Sequence, residues 1–231
     1  MRAGEVFLWV VLPYAAMVLF VAGHVWRYRY DKFGWTSRST QLLESRWLAW
    51  GSNLFHYGAL AAIAGHVLGI LIPSQVTMFV GITEHTYHLI SVGAGSVAGI
   101  VCAAGLAILI VRRAYFARVR RTTSPVDIAT YTLLALLIVL GMVETIGYNA
   151  LGGGYDYRST VGVWFRGLLY LSPHPELMSG APFVYQLHAA VAWLLLALWP
   201  FSRLVHAWSL PWQYHGRPHI LYRRRYARER A

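Results

Sequence analysis

Cysteine is almost missing from this chain of 231 residues: Cys102 is the only one. That excludes an intrachain disulfide, a Cys-x-x-Cys-His attachment site and the cysteine clusters that hold iron–sulfur centres or structural zinc. Charge is scarce as well, with 13% Asp, Glu, Lys and Arg against 57% hydrophobic residues and a mean hydropathy of +0.46. An ordinary soluble domain carries roughly a quarter charged residues, so this composition excludes one and marks an integral membrane protein. Acidic residues are the rarer sign, nine against twenty basic ones, giving a net charge of +11. A nucleic-acid binder can show the same balance, but its cations gather on one folded surface. Here they alternate with long apolar runs, which excludes nucleic acid and makes lipid the expected surroundings.

Runs apolar enough to cross ~30 Å of hydrocarbon lie at about 6–25, 47–72, 87–111, 126–148 and 183–207. The expected fold class is therefore all-α: one integral membrane bundle of five transmembrane helices over 1–231, with 208–231 as a basic tail. The first run is too long for a signal h-region, and Arg27, Arg29 and Lys32 follow it where a cleavage site would need small residues, so it remains as a span. Pro13 lies in its middle and should kink it unless a neighbour satisfies the freed carbonyl. Of the twenty cations, five lie in 27–46, five in 112–121 and seven from Arg203 onward, leaving Arg2, Arg158 and Arg166 for the other face. By the positive-inside rule the N-terminus is outside and the C-terminus cytoplasmic, in a multi-pass protein of the cytoplasmic membrane.

The chemistry lies in the histidines. His56 and His66 sit in NLFHYGALAAIAGHVLG, an uncharged stretch of the second run in which Gly58, Ala62, Gly65 and Gly69 leave room for something flat. At ~1.5 Å per residue the two imidazoles stand about 15 Å apart along one helix. A small-residue seam between helices explains the same residues without chemistry. In the fifth run His188 and His206 are eighteen residues apart, five whole turns, so on a straight helix both point one way. The second and fifth runs are antiparallel, so depth pairs His66 with His188 near the outside and His56 with His206 near the cytoplasm. The spacings of about 15 Å and about 27 Å differ, which calls for tilt or a bend, and Pro200 supplies one. Two cross-helix pairs at two depths fit two haem b groups, since a low-spin haem iron takes two axial nitrogens and its macrocycle a greasy slot. The same spacings do not suit the cytochrome bc-type bundle.

Other polar groups have competing readings. His24 is interfacial or packed in the core. His85 and His88, three apart at the mouth of the third run, share a helical face and either meet a ligand or simply sit at the interface. Glu144, near the outer end of the fourth run, is a functional candidate or a snorkelling acid. The stretch VGVWFRGLLYLSP within 149–182 reads as an amphipathic interfacial segment able to cap a site at the outer face. The basic loop after the first run reads as a headgroup-level segment that could also dock a soluble partner.

The segments RYRYDKFGWTSRSTQLLE, SNLFHYG, AGHVLGILIP, RRAYFARVRRTT and QLHAAVAWLLLALWPFSRLVHAWSLP resemble the gamma, or cytochrome b, subunit of membrane-bound respiratory nitrate reductase over nearly the whole chain. The resemblance implies a five-helix dihaem protein that oxidises quinol near the outer face. Electrons would pass inward to an iron–sulfur beta subunit and a molybdenum-containing alpha subunit on the cytoplasmic side. It carries the axial ligands over as His66 with His188 and His56 with His206, in agreement with depth. The quinol site falls at Gly65, His66 and Gly69. Where the family's better-known pattern has a lysine at the start of the third span, this chain reads ITEHTYHLIS. His85, His88 or Tyr87 can stand in as the hydrogen-bonding group; His85 lies nearest that position and is the preferred proton acceptor, with Glu144 passing the proton outward. Arg112 and Arg203, near the cytoplasmic haem, are candidates to pair with its propionates or serve topology alone. Two rival readings remain: a cytochrome b subunit of another quinone-linked reductase, and a non-redox anchor or proton-relay transporter, although no inverted repeat or pair of broken helices supports the latter.

Overall fold

The structure is a computed structural model that describes residues 3–208, which are mostly helical with no strand among them. The basic tail expected over 208–231 lies, after Trp208, outside the described residues. Five helices are long and apolar enough to cross a membrane: α1 (Ala3–Tyr30), α2 (Arg46–Leu71), α3 (Glu84–Tyr115), α4 (Pro125–Leu151) and α5 (Phe183–Phe201). Local sequence explains where they start. The Thr83 hydroxyl accepts from the Thr86 N–H ahead of α3, while Ser124 and Asp127 close a reciprocal capping box around Pro125 at the head of α4.

Pro13 does not break α1. It cannot donate to the Trp9 carbonyl four residues back, and that carbonyl instead accepts from the Trp164 indole N–H at 2.9 Å. A π-helical turn over Phe7–Val11 precedes it. Trp164 belongs to a helix over Val161–Leu169, where the amphipathic segment was expected, and is 1% exposed. With Trp9, Ala16, Leu168, Met178 and Trp193 it forms the main buried cluster, joining α1, α5 and this short helix at one end of the bundle.

Around the bundle the helices follow the order α1, α5, α4, α3, α2, with α2 lying along α3 for most of its length. Glycine makes that approach possible. A Cβ at Gly58 would meet the backbone of Cys102, and one at Gly105 the backbone of Phe55. The α2 and α5 backbones barely touch, so their histidines meet across a space backed by α3 and α4.

The fifth span ends earlier than its hydropathy suggests. α5 stops at Phe201 rather than 207, because Pro200 tightens the last turn and Ser202 is extended (φ −100°, ψ −178°). Arg27, 4% exposed on α1, receives the carbonyls released there, donating to Pro200 O at 2.6 Å and Ser202 O at 3.2 Å. After this corner a 3₁₀ run, Arg203–Trp208, carries His206. The five whole turns between His188 and His206 therefore do not exist as one helix, and the bend expected at Pro200 is what places His206.

Candidate functional site

At the basic end, where the 27–46 and 112–121 segments lie, His56 Nε2 and His206 Nε2 face each other at 3.5 Å with ring planes 71° apart. Both rings are oriented from behind. His56 Nδ1 donates to Ser52 O at 2.7 Å, and His206 Nδ1 donates to Arg203 O at 2.6 Å. A carbonyl only accepts, so each ring carries a proton on Nδ1 and Nε2 is the atom it turns toward the other ring. A metal bridging two imidazoles holds their nitrogens about 4 Å apart, twice a bond of about 2 Å, and this pair lies close to that separation.

Toward the far end, the His66 and His188 rings lie 6.1 Å apart between centroids with planes only 21° apart. His66 Nδ1 donates to Ala62 O at 2.7 Å, the same arrangement as His56 one helical stretch earlier. His188 differs: its Nδ1 lies 3.7 Å from Glu144 Oε1 on α4. Among the described residues no three His, Cys, Asp or Glu side chains converge as metal ligands. An ion held by either pair must therefore bring most of its coordination with it, as iron does in a porphyrin.

A cavity of about 500 Å³ opens beside His56 and His206, walled by Phe55, Leu106, Leu109 and Leu134 and rimmed by Arg38, Arg112, Arg113 and Arg203. Apolar walls with a cationic rim suit a flat apolar ring carrying two carboxylates. Arg112 and Arg203 have internal partners already. Arg112 donates to Glu44, to the Thr40 hydroxyl and to the Thr40 and Glu44 carbonyls; Arg203 holds Asp127 through two bonds of 2.6 and 2.9 Å. Burial pushes the Glu44 carboxyl up, but the Trp47 and Leu48 N–H groups and Arg112 outweigh it and hold it below the usual range, so it stays charged beside Arg112. Arg113 was not singled out in the sequence, yet its Nε is buried without a protein partner at this rim. Its neighbour in sequence, Arg112, carried the same signal of a cation at the end of a span.

At the far end Gly65 borders open space, whereas a Cβ on Gly69 would collide with the Tyr87 and Tyr157 hydroxyls, which share a hydrogen bond of 2.8 Å. Burial and the Tyr87 hydroxyl push the Tyr157 phenol well above its ordinary range, so it stays protonated. Arg158, 5% exposed, stacks over the Tyr87 ring at 4.0 Å and reaches Glu84 at 3.2 Å. His85 is exposed, while His88 Nε2 turns inward to Asn149 O at 3.1 Å. The tyrosine pair beside Gly69 escaped the sequence reading because Tyr157 lies seventy residues from Tyr87. His24 is a packing residue, with Nδ1 on Phe20 O at 2.6 Å and its ring among Phe20, Trp35 and Trp208.

Five helices able to span a membrane, with imidazoles of α2 brought to one near the start of α5 and one in the 3₁₀ run after it, define a membrane subunit of the cytochrome b type. The family profile described as nitrate reductase gamma subunit matches residues 5–225. The chain belongs to that family. It is 45% identical over 218 residues to the nitrate reductase gamma chain of Bacillus subtilis, covering 94% of this chain and 97% of that one. Against the respiratory nitrate reductase 1 gamma chain of Escherichia coli it is 32% identical over 224 residues, 96% and 98% of the two chains. It is also 47% identical over 230 residues to the nitrate reductase-like protein NarX of Mycobacterium tuberculosis, covering 96% of this chain but 34% of that longer protein.

Proposed function

We propose that this chain is the quinol-oxidising dihaem b subunit of a membrane nitrate reductase complex. The observation that carries the reading is the facing His56 and His206 nitrogens, 3.5 Å apart, each turned inward by a carbonyl behind its Nδ1. The His66 and His188 rings, with centroids 6.1 Å apart and planes 21° apart, bring a second pair of imidazoles from the same two segments together at another depth. Two haem b groups, one per pair, would supply one-electron transfer across the bilayer. Membership of a gamma-chain family supports partners that perform the terminal chemistry, an iron–sulfur beta subunit and a molybdenum-containing alpha subunit. The cation distribution, seventeen of twenty on one side, supports their docking at the basic, cytoplasmic end, with the N-terminus outside.

Quinol is assigned to the far end beside His66, where Gly65 leaves open space. Its oxidation releases two electrons and two protons. His66 and the open side of Gly65 position the ring, and the exposed His85 accepts the two hydroxyl protons one after the other and returns each to the outer water. Arg112 and Arg203 shape the propionate rim at the other end by pinning the 37–44 segment and α4. In right-side-out vesicles carrying the complete complex, quinol should reduce the haems, nitrate should reoxidise them, and the outer medium should acidify. His85→Leu should slow the reduction severely with the spectra intact. Reoxidation only by a different acceptor, or acidification of the lumen, would defeat the reading.

A further inference from the structure

Three of the four facing histidines are held in one way and the fourth in another. His56, His66 and His206 each place Nδ1 at 2.6–2.7 Å from a carbonyl three or four residues back on their own segment. His188 makes no such bond. Its Nδ1 is buried without a hydrogen-bond partner, and so is Oε1 of Glu144, the atom 3.7 Å away. An orphaned buried donor or acceptor destabilises the fold. Two complementary orphans within a small side-chain rotation of each other relieve both costs together.

α4 is shaped to receive this ring. Gly141 and Glu144 are three residues apart and therefore share a helical face. A Cβ at Gly141 would stand 3.1 Å from His188 Cε1, so glycine there leaves room for the imidazole to reach the acid. Glu144 itself lies in a π-helical stretch, Val143–Leu151, of the kind that recurs where a side chain must be re-aimed. Asn149 secures the stretch by donating to Glu144 O at 2.8 Å and to the Tyr185 hydroxyl at 2.7 Å.

We propose that Glu144 is a positioning residue for His188, accepting the imidazole Nδ1–H so that this ligand is oriented by the carboxyl group of an α4 side chain instead of a carbonyl on its own helix. The proposal rests on the haem-ligating role of His188. An acceptor on Nδ1 fixes the tautomer and the orientation of the ring and sets how electron-rich the ligating Nε2 is. Because the other three rings rest on carbonyls, the potential of the His66–His188 group depends on Glu144 while that of the His56–His206 group does not.

The test is a redox titration of the holoprotein followed optically and by electron paramagnetic resonance. Glu144→Gln keeps the shape but puts an amide in place of the carboxyl. It should shift the potential and the low-spin g values of one haem and leave the second haem unchanged. Glu144→Asp, which keeps a carboxyl but holds it one methylene farther from the ring, should give a smaller shift of the same haem. Unchanged potentials and g values would overturn the proposal while leaving the dihaem reading intact, as would equal shifts of both haems, or loss of one haem from the Gln variant. A wild-type protein without haem would instead defeat the underlying reading and this proposal with it.

Discussion

At the scale of single residues, Arg203 shows what a cation at the end of a span becomes once the fold is formed. Its guanidinium grips both oxygens of Asp127, whose side chain is 6% exposed, and the pair ties the corner after α5 to the head of α4. Stranding a buried charge costs about 3–5 kcal/mol, and since Arg113 also stands 3.9 Å from Asp127, loss of Arg203 should cost less than that. Arg203→Leu should therefore lower the thermal midpoint of the detergent-solubilised protein by several degrees. Adding Asp127→Asn should recover much of the loss; an unchanged midpoint in the single variant would show the pair contributes little. Little of this is legible locally: the structure shows SPVD closing a capping box through Asp127, but the cation that Asp127 holds lies 76 residues away, and nothing nearby announces it. The same holds for Glu144, which stood out as an acid in an apolar run but whose neighbour His188 only the tertiary fold supplies.

At the scale of elements, hydropathy marks the spans because a helix in lipid must be apolar around nearly its whole circumference. It overshot α5, since FSRLVHA continues the apolar run while Pro200 and the extended Ser202 end the helix. The π-helical turns beside His66 and through Glu144 carry no comparable sequence mark. The α2–α3 contact was partly legible, as close-set glycines in the third run, although which helix they admit was not. Gly105 lies against the backbone of Phe55, the residue before His56, so the packing and the site share one contact. Gly105→Val should force α2 outward at that level, destabilising the protein by about 1–3 kcal/mol and weakening retention of the haem at His56. Haem content and stability equal to the wild type would contradict this account of the seam.

At the scale of the whole molecule, the bundle is built for a solvent that is not water. Only 11–28% of each span's most apolar window is buried within the protein, and side chains such as Val18, Val21, Ile63, Val97 and Val139 face outward. The energy of folding then rests on close helix contacts and on satisfied polar groups: Trp164 on the Trp9 carbonyl, Arg27 on the α5 corner, Arg112 on Glu44 and Thr40. Within that frame the structure brings His56 to His206 and His66 to His188, the pairs that matching depth in antiparallel spans predicts. The pairing could be read from the sequence because membrane depth is a one-dimensional coordinate, fixed by counting residues from the span ends. Ring orientation, rim partners and the link from α4 could not, because they depend on azimuth and on distant segments. The central claim, two haems on four histidines, is tested most directly by a pyridine haemochrome measurement of haem b per chain on the purified, folded protein. The account predicts two; a folded preparation containing one haem or none would contradict it.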